Sequence, residues 1–282
     1  MRITLAQSDS QLGDIDANVE RAADAITRAK EASSDLIVFP ELYLSGYSIG
    51  VVDSDVSIRV DDPRVVDLAR LAAPAGLHIG LAEDAKRSPH TYNSTVYYEG
   101  DQLVHVHRKL HLPTYSIFEE RKHFTPGQSL RAYPVGDDTT MATLICGDAW
   151  QPTMAFIATQ DGARALIVPA AGSQSRFPEH YDAREYWEDI TRFYGRIYQL
   201  YVVFVNRVGV EGELNFWGGS HVVDPWGHVI AQAAEYEEEL LTVEIDLAEV
   251  RHRRRRIPLV KDARLGLIQR EIARLVEEGG DL

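Results

Sequence analysis

Three short apolar runs, each stopping at a chemically reactive residue, constrain the fold of this chain more than any other feature. Asp35-Leu-Ile-Val-Phe-Pro40 delivers Glu41, Gln102-Leu-Val-His-Val-His107 delivers Arg108 and Lys109, and Met141-Ala-Thr-Leu-Ile-Cys146 stops at Gly147-Asp148. Apolar runs of this length read as buried strands, and strands buried on both faces belong to sheets covered by other layers. In sheet proteins the ends of such strands converge on the rim where ligands bind. An acid, a cation and a thiol are therefore expected around one place.

The remaining pattern supports a layered α/β chain. Residues 17–34 carry apolar positions at helical spacing, and 62–75 reads as a second helix, with Asp61 or Asp62 as cap and Pro63 in the first turn. Strands are expected at 1–7 and 77–82, with a hairpin at 95–106. After Cys146 come a helix near 153–162, a strand at 165–168, a helix at 181–198 and a strand at 201–205. A second hairpin is built on the turn Asp224-Pro-Trp-Gly227. Alternating helices and strands imply mixed sheets covered by helices, with blocks 1–110 and 140–250 stacked sheet against sheet. No Gly/Ser-rich or Pro-rich linker divides the chain, so one domain is expected over 1–282. The segment 110–130 is a long crossover of the kind that carries function.

Charge and composition exclude several classes. A net charge of −14 and a pI near 5.1 repel nucleic acid and anionic lipid, so neither is an expected partner. No apolar stretch approaches the roughly 20 residues of a membrane span. The amino terminus reads as a strand rather than a signal peptide, and with a single cysteine this points to the cytoplasm. The basic run Arg251-His-Arg-Arg-Arg-Arg256 lies in acidic surroundings and suits a subunit contact or acidic-patch pairing better than nucleic acid. The acidic surface equally suits a solubility adaptation to salt.

Cys146 is the only cysteine, so it has no internal disulfide partner. Alone it reads as a small buried hydrophobe; as a nucleophile it needs activation, since the thiolate is the reactive form. None of the 10 histidines is tied to it by a local signature. A carboxylate whose pKa is raised by burial can shuttle the proton instead, and Glu41 is the candidate. Lys109 would favour the thiolate and stabilise an oxyanion. Glu83, at another strand end, is a candidate to back the site against Lys109, with a structural role as the equal alternative. Asp148 either orients the nucleophile turn or caps the following helix. Tyr47, Tyr115, Trp150 and Trp217 are candidate substrate-pocket aromatics, with core packing as the alternative.

These residues sit in ordered blocks: Val38-Phe-Pro-Glu-Leu42 with Gly46-Tyr47, Arg108-Lys-Leu-His-Leu-Pro113, and Leu144-Ile-Cys-Gly-Asp148. Supporting blocks are Tyr92-Asn-Ser94, Phe124-Thr-Pro-Gly127, Asn206-Arg-Val-Gly209 and Gly218-Gly-Ser-His-Val222. Through them, and over nearly its whole length, the chain resembles the nitrilase superfamily of carbon-nitrogen hydrolases. The resemblance implies a four-layer αββα sandwich of two mixed sheets. It also implies a Glu41–Lys109–Cys146 triad and a second glutamate, which Glu120 matches better than Glu119. Lys109 and the Gly147 backbone N–H would be the oxyanion donors. Members attack an amide, carbamoyl or nitrile carbon with the cysteine, release an amine or ammonia, and hydrolyse the thioester. No metal or organic cofactor is implied. A homodimer or larger even oligomer is, with about 255–282 as a tail packing on a neighbouring subunit.

Within that superfamily, 112–120 and 146–152 are similar to the glutaminase domain of glutamine-dependent NAD synthetases, while 206–219 looks more like carbamoyl-amine and aliphatic amide hydrolases. Ending near residue 282, the chain is expected to lack a synthetase domain. The expected activity is hydrolysis of a small linear amide or N-carbamoyl compound. The alternatives are a nitrilase, acyl transfer to another acceptor, or a catalytically silent binding or scaffold protein.

Overall fold

The computed structural model describes residues 1–86, 89–115, 118–136, 139–174 and 182–279. Its first half runs β1 (Arg2–Gln7), α1 (Ile15–Glu31), β2 (Leu36–Val38), α2 (Pro63–Ala72), β3 (Gly76–Asp84), β4 (Thr91–Glu99), β5 (Gln102–Arg108) and α3 (Glu120–His123). Next come β6 (Ala132–Val135), β7 (Thr139–Thr143), a 3-10 turn at Cys146–Trp150, α4 (Pro152–Gln160), β8 (Ala165–Ala170), α5 (Ala183–Tyr198) and β9 (Tyr201–Asn206). The chain closes with β10 (Val208–Glu211), β11 (Leu214–Trp217), β12 (His221–Val223), β13 (Val229–Gln232), β14 (Glu239–Glu244), α6 (Leu247–Arg256) and α7 (Leu265–Glu277). Two six-stranded mixed sheets result, ordered β14-β1-β2-β3-β4-β5 and β13-β12-β9-β8-β7-β6.

Alternation along the strands builds the layers. Ile3 and Leu5 of β1 join Ile167 of β8 and Val203 and Val205 of β9 in one buried cluster between the sheets. The residues between them face outward: Ala6 and Ile37 pack under α1 and α2, and Leu166, Val202 and Phe204 pack under α4 and α5. Side chains of period two thus give each sheet one face for its partner and one for its helices, the αββα sandwich. Each fully buried aliphatic side chain contributes about 1.5–3 kcal/mol. The helices stop and start on local chemistry. Asp14 accepts the Ala17 N–H at the start of α1, and Asp62, rather than Asp61, accepts the Arg64 N–H before Pro63 in α2.

Some boundaries depart from the sequence expectation. The strands leading to Glu41 and Cys146 end early, at Val38 and Thr143, so both residues sit in irregular backbone beyond the sheet. Helix α5 starts at Ala183, capped by Asp182; the expected start at Tyr181 lies outside the described residues. The β10–β11 hairpin and α7 were not foreseen. The basic run forms most of α6, where Arg253 lies 4.0 Å over the Trp226 ring and Arg254 donates to the carbonyls of Ala163 and Tyr198. Part of its charge therefore fastens the helix to the body. Among the described residues no helix is long and apolar enough to cross a membrane.

Candidate active site

Beyond β7 the backbone swings through Leu144 and Ile145 into the 3-10 turn, and Cys146 takes a left-handed φ of +41°. For a residue with a Cβ this conformation costs on the order of 1–3 kcal/mol and must be held by its surroundings. Asp148, fully buried, does the holding. Its carboxylate accepts N–H bonds from Ile145 at 3.1 Å, Leu110 at 2.9 Å and His111 at 2.8 Å, and meets His107 Nε2 at 2.9 Å. Burial alone would raise this carboxyl's pKa; the bonds from His107 and His111 hold it well below the usual range. Of the two roles expected for Asp148, the geometry gives it the turn, since the cap position of α4 is Gln151, which makes no side-chain cap bond. Gly147 is required by proximity, because a Cβ there would lie 2.7 Å from the His111 carbonyl oxygen.

The same crossover brings in Lys109, whose ammonium is enclosed between two carboxylates. It donates to Glu41 Oε1 at 2.6 Å and to Glu120 Oε1 at 2.6 Å. Glu41 also accepts Asn93 Nδ2 at 2.7 Å on Oε1 and the Ala171 N–H at 2.8 Å on Oε2. Glu120, at the start of α3, accepts the Tyr47 hydroxyl at 2.6 Å, while its Oε2 is buried without a hydrogen-bond partner. Lys109, Glu41 and Glu120 are buried, whereas Cys146 keeps partial exposure, as an attacking group must.

The electrostatics follow from this enclosure. Burial pushes the Glu120 carboxyl up to about 7, with Lys109 opposing and Glu41 adding to the rise. Burial also raises the Cys146 thiol well above its ordinary value; Glu41 and Glu120 add to this, while Lys109 and the Ala171 N–H oppose it. Against its own burial, Lys109 is held charged by Glu120 and Glu41. The site thus sets a thiol and a Glu120 carboxyl, both raised by burial, around one enclosed ammonium, an arrangement suited to proton transfer between sulfur and a leaving nitrogen.

The other expected residues divide. Tyr47 is buried in the site through its bond to Glu120, and its ring meets Phe118 and Phe216 edge-on at 6.2 and 6.1 Å. Tyr115 is largely exposed, set against Phe118 at 5.8 Å and within electrostatic reach of Cys146, Lys109 and Glu120. Trp150 stacks on Tyr186 and packs edge-on against Trp187. Trp217 is buried and stacked on Phe204, with its Nε1 facing no acceptor. Both tryptophans pack in the cluster beneath α5. Glu83 requires a correction: rather than meeting Lys109, it takes Ser94 Oγ at 2.6 Å and the Arg108 guanidinium, because Arg108 and Lys109 point to opposite sides of the strand end.

Asn93 and Ala171 were not singled out as site residues. Asn93 lies inside the quoted block Tyr92-Asn-Ser94, which was a usable signal; Ala171 acts through its backbone, and no side chain announces it. Among the described residues, no group of three His, Cys, Asp or Glu side chains is placed to hold a metal ion.

Comparison with known proteins agrees with this geometry. The family model for carbon-nitrogen hydrolases matches residues 2–255. The glutamine-dependent NAD(+) synthetase of Thermotoga maritima is 32% identical over 88% of this chain but only 42% of its own length, so the chain spans less than half of that relative. An (R)-stereoselective amidase from a Pseudomonas species is 30% identical over 95% of this chain and 93% of its own. The crystal structure of a carbon-nitrogen hydrolase from Helicobacter pylori G27 superposes with a TM-score of 0.82 at 26% identity, covering 96% of this chain and 98% of that one.

Proposed function

Because the chain belongs to the carbon-nitrogen hydrolase family, we propose that it hydrolyses the C–N bond of a small amide or N-carbamoyl compound through a thioester on Cys146. The observation that carries the reading is Lys109 held at 2.6 Å by both Glu41 and Glu120, with the thiol coupled to all three. In this mechanism Glu41 takes the thiol proton as sulfur bonds to the carbonyl carbon. The oxyanion forms against Lys109 and the Gly147 N–H. Glu41 then hands the proton to the departing nitrogen, the C–N bond breaks and an amine or ammonia leaves. Water, deprotonated by Glu41, attacks the thioester; the acid departs and the thiol is restored.

The buried, unpartnered Oε2 of Glu120 supports amides over nitriles. An amide or carbamoyl NH2 can donate to it; a nitrile nitrogen carries no hydrogen and would leave the oxygen buried and unsatisfied, a cost of about 1–3 kcal/mol. An ammonia-release screen over matched amides, N-carbamoyl amines and nitriles is the test, with L-glutamine among the amides because of the likeness to NAD synthetases. Amides or N-carbamoyl amines are expected to exceed nitriles in kcat/KM by about tenfold or more, equal to about 1.4 kcal/mol in barrier. A nitrile preferred by that margin overturns the choice of branch.

The cytoplasm is proposed as the setting, on the single cysteine. A homodimer or larger even assembly is also proposed. Exposed Tyr186, Phe193 and Ile197 on α5 and Ile157 on α4 form an apolar surface, and α7 exposes Leu265, Ile272, Leu275 and Val276 with no buried residue of its own. The region from about 255 onward is thus proposed as a tail that packs on a neighbouring subunit. Light scattering at micromolar concentration is expected to give at least twice the chain mass of 31.6 kDa; a monomer mass contradicts it.

A further inference from the structure

The blocks Asn206-Arg-Val-Gly209 and Gly218-Gly-Ser-His-Val222 take no part in the steps above, yet they converge behind the backbone that supplies the Ala171 N–H. Strand β8 ends at Ala170, opposite Asn206 in the parallel ladder with β9. Past that point the chain leaves the β9 ladder: the Arg207 N–H still holds the Ala170 carbonyl at 3.0 Å, and from Gly172 onward the backbone turns to β11, with the Trp217 N–H 3.4 Å from the Gly172 carbonyl, a bridge between Ser173 and Phe216, and the Gln174 N–H on the Asn215 carbonyl at 2.8 Å. At the changeover, Gly172, the fully buried Asn206 side chain supplies the remaining bonds. Its Oδ1 accepts the Gly172 N–H at 2.7 Å, and its Nδ2 donates to the Gly172 carbonyl at 3.3 Å and the Gly218 carbonyl at 3.0 Å. The side-chain amide thus mimics a peptide group and continues the ladder by one residue. Its own backbone is pinned by Ser220, whose Oγ accepts the Asn206 N–H at 2.9 Å. Gly172 fits tightly against it: a Cβ there would lie 3.2 Å from Oδ1 and 3.3 Å from Nδ2.

We infer that Asn206 is a positioning residue for the hydrolytic reaction: by gripping Gly172 on both sides of its Cα, it aims the adjoining Ala171 N–H at Glu41 Oε2 and the Cys146 sulfur. That N–H lies 2.8 Å from Glu41 Oε2 and also favours the thiolate. A misaimed Ala171 weakens both the proton acceptor and the nucleophile in one displacement. The inference rests on the proposal that Cys146 and Glu41 carry the reaction, so its test includes a readout that needs no substrate.

The experiment is iodoacetamide alkylation of Cys146 across about pH 6 to 10 in the full chain, beside kcat and KM for an amide found in the screen, on Asn206→Ala, Asn206→Asp and Gly172→Ala. The charged and titratable groups around the thiol, namely Glu41, Lys109, Glu120, Tyr47 and Tyr115, are unchanged in all three variants. In Asn206→Ala the alkylation midpoint is expected to move to higher pH, and kcat to fall about 30-fold with KM within about threefold. Asn206→Asp keeps an acceptor for the Gly172 N–H but turns a carboxylate on the Gly172 and Gly218 carbonyls, so its midpoint is expected to move at least as far as that of Asn206→Ala. Gly172→Ala presses on the same amide from the other side and is expected to move the midpoint in the same direction, so the inference stays testable where Asn206→Ala does not fold. Folded variants whose midpoint stays within about 0.3 pH unit and whose kcat stays within about twofold of wild type overturn it, since a purely structural Asn206 would lower thermal stability alone. A wild type that hydrolyses no amide, while its variants still shift in alkylation, overturns the proposed function and leaves the positioning role standing.

Discussion

Cys146→Ala is expected to abolish hydrolysis, lowering kcat by about 10^4-fold or more, as deletion of the nucleophile does in other triads. The fold should survive. Alanine keeps the Cβ, so the cost of the +41° backbone is unchanged, and Asp148, which holds the turn, does not touch the sulfur. With only a partly exposed thiol lost, stability should remain within about 1 kcal/mol of wild type. The complementary result is covalent: intact-protein mass spectrometry of the wild type with a slow substrate should find one acyl group, placed on Cys146 by peptide mapping. An adduct elsewhere, or full turnover by the alanine variant, removes Cys146 from the mechanism.

Lys109→Ala is expected to damage both catalysis and stability, and the two losses should depend differently on pH. Removing the oxyanion donor should lower kcat by about 10^2–10^3-fold or more at any pH. Removing the only cation between Glu41 and Glu120 leaves two buried carboxylates facing each other, and breaking such a buried pair costs about 3–5 kcal/mol. The sign follows from Glu120. Its pKa in the folded wild type is already raised to about 7, with Lys109 opposing the rise, so deletion raises it further. A carboxyl whose folded pKa exceeds its unfolded value contributes its stability below the unfolded pKa and loses it as pH rises through the folded one. The deficit of the variant should therefore be largest near pH 8 and shrink toward pH 5, while activity is not regained. Chemical denaturation at several pH values measures this. A deficit that grows on acidification would show that the carboxylates do not depend on Lys109.

The convergence of Glu41, Lys109 and Cys146 was legible in the sequence because each follows an apolar run that reads as a strand, although β5, before Lys109, proves to be a half-exposed edge strand. Residues at such ends are brought together by topology even when they are far apart in the chain. Glu120 was legible only through its spacing from Phe124 in a family pattern, since Glu119-Glu-Arg-Lys122 otherwise reads as a solvated face; the structure buries Glu120 and leaves Glu119 outside. Less could be read where the backbone itself acts. Nothing in Ala171 announces that its N–H serves Glu41, and the left-handed turn at Cys146 depends on Asp148 reaching back to Ile145 and across to Leu110. The β10–β11 hairpin escaped notice because glycines at 209 and 212 interrupt its short alternation. Helix α7 carries readable helical spacing in Leu265, Ile268, Ile272 and Leu275, but it buries none of its residues against this chain, so nothing in the sequence says what its apolar face meets.

The Asp148 brace has a consequence for divergence. One carboxylate binds the backbone on both sides of Cys146's approach, at Ile145 and at Leu110 and His111, so the attacking sulfur and the Lys109-bearing crossover form a single mechanical part. Tyr115 and Phe118, which pack on each other farther along the crossover, have no bond to that brace. A change at 115 or 118 therefore reaches Glu120 by way of Tyr47, while the brace is left in place. On such a scaffold these two positions are free to diverge without disturbing the backbone bonds that join the Cys146 turn to the Lys109 strand end.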